Sequence, residues 1–187
     1  MSRKEVRGTI INGYLEFVKT KWGENGLREC KEFCGITKEV NDGQFYVDEV
    51  KIDILRWIGN KHGEEYVVDA GKFLVSHLGL LSWIVRFMDP YKVAVRFPKE
   101  YNQVYNFGRV EVKGKPGNIL IKLYDVCSSK EVCLSWKGIC LGLLDITGVE
   151  GDVVKSSCQL EGEKSCDYLV KYTVNKNKEY EFKSYRP

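Results

Sequence analysis

Seven cysteines, at positions 30, 34, 127, 133, 140, 158 and 166, are the side chains of this sequence best suited to chemistry. An odd count leaves at least one thiol outside any intramolecular disulfide scheme. With no secretory leader in view, such a set points to metal ligation or buried thiols before disulfides. Cys158 and Cys166 flank the segment Gln159-Leu-Glu-Gly-Glu-Lys-Ser165. On the arms of a hairpin centred on Gly162 they would stand opposite each other, Cβ atoms ~5 Å apart and on one face. Cys133 or Cys127 from the preceding segment would complete three soft ligands for zinc, with Glu150 or Asp152 as a carboxylate fourth. The same residues also read as small thiols packed beneath a helix. Their spacing is not a Cys-x-x-Cys knuckle, so the residues alone leave both readings open. Cys30 and Cys34, four apart near a helix end, are expected to stay outside any such site.

Other chemistry is sparse. His62, in Gly59-Asn-Lys-His-Gly63, is expected on a solvated loop; His77, in Phe73-Leu-Val-Ser-His-Leu-Gly79, is expected in or beside a buried helical stretch. Neither has a second histidine three or four residues away to complete a metal site. There is no Gly-x-Ser-x-Gly elbow, no phosphate-binding glycine-rich loop and no His-Glu-x-x-His. Glu64, Glu65 and Asp69 read as a solvated helical face. Nothing assembles a nucleophile, a base and an oxyanion donor, so no enzymatic activity is expected. The 29 basic and 26 acidic residues are scattered and leave a net charge of +3. That gives no basic stripe for phosphates, and nucleic-acid binding is not expected. The longest apolar run, 73–88, is broken by Ser76, His77, Ser82 and Arg86. A bilayer span needs about 20 mostly apolar residues, so this run reads as a buried helix. Met1-Ser-Arg-Lys-Glu-Val6 carries charge with no apolar stretch behind it, and a cytoplasmic location is the default expectation.

The elements that must position these residues divide the chain in two. Over 8–22, Ile10, Ile11, Tyr14, Leu15, Val18 and Trp22 recur at three- and four-residue steps, the mark of a core-facing helical stripe. Asn25-Gly26 closes it, and a second helix covers 27–33. A third, over 47–59, carries Val50, Ile54, Trp57 and Ile58 on one face. Segments 64–75 and 78–88 predict two more, the last bounded by Pro90. Past Pro98 the period changes. Residues 110–113 and 119–124 flank Gly114-Lys-Pro-Gly117 as a hairpin. A late helix over 132–144 carries Trp136, Cys140, Leu143 and Leu144. A second hairpin joins 153–160 to 166–174, and 179–185 predicts an edge strand. The pattern is α+β: one domain over 1–187, with a helical lobe (1–98) packed on an antiparallel sheet lobe (99–187) that holds one late helix.

Several segments resemble a known family. Arg7-Gly-Thr-Ile-Ile-Asn-Gly-Tyr-Leu-Glu-Phe-Val18, followed by the Trp22-Gly-Glu-Asn-Gly26 bend, resembles the opening of heme nitric oxide/oxygen-binding (H-NOX) domains and related myxobacterial paralogues. Trp83-Ile-Val-Arg-Phe-Met-Asp-Pro90 resembles the stretch leading into their proximal heme helix. Residues 138–172, with Cys158-Gln-Leu-Glu-Gly-Glu-Lys-Ser-Cys166, are similar to the end of vinyl-reductase-type ligand-binding domains, of one superfamily with trafficking-complex (TRAPP) subunits. The likeness covers nearly the whole chain at scattered positions. It has two gaps. Where H-NOX domains place the iron-binding histidine, shortly after Met-Asp, this chain reads Pro90-Tyr91-Lys92-Val93, and no histidine follows. The Tyr-x-Ser-x-Arg heme clamp is replaced by Tyr124-Asp-Val-Cys-Ser128. A tyrosine can ligate ferric heme, which leaves Tyr91 for that role, but without the clamp conventional heme binding is not expected. The vinyl-reductase-type likeness implies a structural zinc on Cys133, Cys158 and Cys166, with Lys155 about where that family keeps an acidic ligand.

The function these features predict is a sensor domain. A small apolar or aromatic ligand would sit among Trp83, Phe87, Tyr91 and Trp136, and the signal would pass to a separate protein partner. The likeness also implies a homodimer. The alternatives are a protein–protein adaptor of the TRAPP type, or a heme or redox sensor with non-standard ligation.

Overall fold

The computed structural model describes residues 3–77 and 88–174. Strand β1 (Glu5–Arg7) leads directly into α1 (Gly8–Phe33) and pairs antiparallel with β2 (Phe45–Val47), Val6 opposite Tyr46. Then follow α2 (Asp48–His62), α3 (Glu64–His77), α4 (Pro90–Ala94) and α5 (Phe97–Val104). The second half holds β3 (Arg109–Lys115), β4 (Asn118–Tyr124), α6 (Lys130–Thr147), β5 (Gly151–Ser157), a short 3-10 turn (Gln159–Glu161) and β6 (Cys166–Tyr172). The last four strands form one antiparallel sheet in the order β3-β4-β6-β5. The α+β reading stands.

Local sequence explains most of these elements. The stripe of α1 buries Ile10, Ile11, Tyr14, Leu15, Phe17 and Val18. Its break comes at Gly23, whose φ of 69° and ψ of −168° leave the helical region, so the two expected helices meet at a kink just before the expected Asn25-Gly26 boundary. Asp89 caps α4 by accepting the Tyr91 N–H at 2.8 Å, and Pro90 occupies the first helical position. Ser129 caps α6 at the Val132 N–H, and Gly148 closes it in the left-handed conformation. Alternation puts Ile119, Ile121 and Leu123 of β4 beside Val170, Tyr168 and Cys166 of β6 on one buried face.

Three features depart from the sequence reading. The three-residue strands β1 and β2 were not anticipated. Helix α5 runs across the expected 98/99 lobe boundary, because Pro98 lies in its first turn and starts the helix instead of ending one. The expected helix over 78–88 lies outside the described residues except for Met88, and the strand expected over 179–185 lies wholly outside them.

The tightest packing is between α3 and α6. A Cβ placed on Gly71 would lie 2.0 Å from the Ser135 carbonyl oxygen, and one on Gly138 would lie 2.0 Å from that of Val68. The two backbones therefore touch, with no side chain between them. Gly142 extends the contact, a Cβ there meeting the Lys72 carbonyl oxygen at 3.0 Å. Gly71→Ala and Gly138→Ala are each expected to destabilise the fold by about 1–3 kcal/mol or more, since backbone cannot yield as a side chain does. Gly59→Ala, whose Cβ would meet side-chain atoms alone, Val67 Cγ2 at 3.3 Å and Glu131 Cγ at 3.8 Å, should cost less. Urea midpoints of the three variants check the ranking.

Candidate functional site

The sheet-facing side of α6 holds a thiol centre. Cys127 comes from the loop after β4, Cys133 from the first turn of α6 and Cys166 from the start of β6. Their three sulfurs lie within 4.8 Å of one another and all three residues are buried. The Cys133 and Cys166 sulfurs are 3.9 Å apart. Two sulfurs bound to one tetrahedral zinc at ~2.3 Å would lie ~3.8 Å apart, so the spacing fits a soft metal. Of the expected Cys133, Cys158 and Cys166, this group holds the first and the last, and Cys127 is its third member. Lys155 on β5 stands opposite Tyr168, which is fully buried, so its side chain points inward rather than to solvent. Its Nζ donates to Cys158 Sγ at 2.7 Å.

The electrostatics follow from one negative charge shared among neighbours. Hydrogen bonding from Cys127, then the nearby Lys155 ammonium, holds the Cys133 thiol well below its ordinary range despite burial. Cys166 is lowered by Cys127 and by the Gln159 backbone N–H, which reaches its sulfur at 3.2 Å. Cys127 is pushed up because it donates to Cys133 and Cys166 and is buried, and so stays a thiol. Burial works against the charge on Lys155, yet its bonds to Cys158 and Cys133 raise it above an ordinary lysine. Tyr168 completes the setting by donating to the Cys133 carbonyl oxygen at 2.8 Å. Cys30 and Cys34 lie apart from this group, as expected, the two free thiols hydrogen-bonded to each other.

A second polar centre lies among the helices. Asp48 and Lys51 form an ion pair of 2.7 Å with both side chains 2% exposed. The Lys51 ammonium lies 5.0 Å from the Tyr105 ring centroid and 5.8 Å from that of Phe107. Burial lowers the Lys51 pKa, and Asp48 offsets part of that. Tyr105 stacks on Tyr101 at 4.4 Å, and Trp136 lies 6.1 Å from Tyr101. The Tyr14 and Ser135 hydroxyls are hydrogen-bonded at 2.7 Å in the core. No feature of the sequence marked Lys51 as buried.

Of the aromatics expected to line a ligand pocket, Trp136 is buried in this cluster and Tyr91 is half-buried on α4. The Tyr91 N–H donates to Asp89 and to the Tyr172 hydroxyl. Trp83 and Phe87 lie outside the described residues. The histidines reverse their expected settings. His62 is not a solvated loop residue: it stacks on Trp22 at 3.8 Å beside Trp57 and Tyr66, and its Nε2 is buried without a partner. His77 is exposed and stacks on Phe73.

No family model matches the sequence, and no curated protein does. Solved structures match over most of the chain. An H-NOX protein from S. oneidensis in the Fe(II)NO ligation state is 16% identical, with a TM-score of 0.73 over 90% of this chain and 99% of that one. The H-NOX domain from Shewanella oneidensis in the Fe(II)CO state, solved by NMR, gives 16% and 0.71 over the same shares. The Fe(II) unliganded H-NOX protein from K. algicida gives 10% and 0.66 over 91% and 98%. The chain has an H-NOX-like fold. Of its histidines, His62 stacks on Trp22 and His77 is exposed at the end of α3, while among the described residues Tyr91 and Tyr172 bring phenols to α4.

Two outcomes test these centres. Asp48→Ala leaves a buried ammonium unpaired and should destabilise by about 3–5 kcal/mol, whereas the double replacement Asp48→Leu with Lys51→Met should be close to neutral. For the thiols, the folded pKa of Cys133 lies below its unfolded value. The thiolate and the stability it brings are therefore present above the unfolded pKa and lost as pH falls through the folded one. Thiolate ultraviolet absorbance should persist at neutral pH in the metal-free protein, and Lys155→Met should move its loss to higher pH.

Proposed function

From this H-NOX-like fold we propose a non-catalytic sensor domain that binds a small apolar or aromatic molecule and passes the signal to a separate protein. The reading rests on one combination: the fold is matched over nine-tenths of the chain, while the imidazole that would hold iron is absent after His77. The relatives named above carry Fe(II), two of them with a diatomic ligand. This chain would use the same architecture without conventional heme. Trp136 and Tyr91, with Trp83 and Phe87 from the segment between α3 and α4, would supply apolar contacts to the ligand. Among the described residues no helix is long and apolar enough to cross a membrane. A cytoplasmic homodimer is part of the proposal.

The thiol centre would serve as the structural tie of this sensor. Cys127, Cys133 and Cys166 would hold zinc, and zinc there would join the loop after β4, the start of α6 and the last strand. Hydrogen exchange after chelation should then rise first in β6 and the first turn of α6.

Spectra and native mass spectrometry of protein from heme-supplemented cells test the sensor reading. The expected result is no stoichiometric Soret band and a bound small apolar molecule whose occupancy falls at least tenfold in Trp136→Ala. A stoichiometric Soret band that disappears in Tyr91→Phe would overturn it.

A further inference from the structure

Lys155 and Cys158 are three residues apart, and in a regular strand they would point to opposite faces. A bulge prevents this. Lys155 pairs with Tyr168 and Ser157 pairs with Asp167, so Ser156 has no partner and the register shifts between them. The inserted residue brings both side chains to the face covered by α6, with Nζ 2.7 Å from Sγ. Cys158 lies outside the three-thiol group, and the Lys155 ammonium that reaches its sulfur also bonds Cys133. Lys155 is half-buried at the sheet edge, which leaves a small polar oxidant a route to the pair.

We propose that Lys155 and Cys158 form an oxidative modification site in which a hydroperoxide converts the pair into a covalent sulfur–nitrogen link. The Cys158 thiolate attacks one peroxide oxygen, the O–O bond breaks, and the departing hydroxide leaves as water with the thiol's proton. The sulfur is then a sulfenic acid, oxidised by two electrons, and the peroxide is reduced by the same two. The Lys155 ammonium gives a proton to the sulfenic hydroxyl, which leaves as a second water while the freed amine attacks sulfur and then releases one further proton to solvent. The balance is one thiol, one ammonium and one hydrogen peroxide to one sulfenamide, two waters and one proton. Condensation of a sulfenic acid with nitrogen is established thiol chemistry. Linkage removes the lysine charge from beside Cys133. A thiol reductant restores both side chains.

The test uses the full chain, zinc-free and zinc-loaded, treated with hydrogen peroxide, alkylated and digested with trypsin. The link blocks cleavage after Lys155, so segments 138–155 and 156–164 should appear as one peptide lacking two hydrogens, with Cys158 unalkylated. Dithiothreitol before alkylation should restore the cut and the alkylation. Lys155→Arg keeps a charge and a cleavage site but cannot close the link, and its Cys158 should instead accumulate as sulfenic or sulfinic acid. Cleavage after Lys155 in the oxidised wild type, or Cys158 recovered in a disulfide with Cys166 or Cys133, overturns the proposal. Loss of zinc without linkage also overturns it, and leaves the metal tie standing.

Discussion

The contact on which the rest of the structure depends is the glycine-to-backbone crossing of α3 and α6. With Gly71 and Gly138 at the crossing, α6 can lie against α3 at a distance no side chain would permit. That approach fixes the rotation of α6 about its own axis, and the rotation sorts its residues. Ser135 turns to Tyr14 in the helical lobe. Cys133 and Cys140, seven apart and so nearly aligned on the helix, turn to the sheet, where Tyr168 bonds the backbone of the former. A helix held further off would have to fill the gap with side chains, and the thiols would lose their register with Cys166.

Both polar centres solve the same problem, a charge held among buried groups. Removing an ion from water costs several kcal/mol, and attraction to a partner returns that only when the geometry is close. Asp48 and Lys51 do so within one turn of α2, helped by aromatic faces over the ammonium. The thiol centre spreads the charge instead, with a sulfhydryl and an ammonium both donating toward Cys133. In each case the cation is a lysine that a hydropathy reading places on the surface. The first lies in a helical stripe next to Ile52; the second lies on an edge strand whose inward face is otherwise Val153.

Periodicity made the long elements legible. The stripe of α1, the face of α2, the late helix and both hairpins all follow from repeats of three to four or of two. What escaped was too short or too distant in sequence for a period to carry. Three residues of β1 give one alternation and no more. Pro98 bears two meanings, helix end or helix start, and only the chain around it selects between them. Gly71 and Gly138 each read as an ordinary weak point in a helix, because their meaning is a contact across more than sixty residues. Cys133 and Cys166 were identifiable from spacing and likeness. Cys127 stands in the sequence only as an alternative to Cys133, and nothing local to 155–158 reveals the bulge that turns Lys155 toward Cys158. His62 was placed in solvent because a Gly-Asn-Lys-His-Gly loop is polar, and the ring that covers it comes from Trp22.

The bulge at Ser156 also bears on how the molecule keeps to itself. Among the described residues the four-stranded sheet ends in β3 on one side and β5 on the other, and an unpaired edge is a template on which another chain could add a strand. At one edge β3 presents Lys113 and Lys115, charged and exposed, against such addition. The β5 edge is more exposed to the hazard, since Val154 stands outward at 55% exposure on a strand of seven residues. There the irregular register interrupts the row of free backbone groups, and an inward lysine would be stranded if the strand flattened to accept a neighbour. The bulge that shapes the thiol centre thereby also makes the β5 edge a poorer template for strand addition.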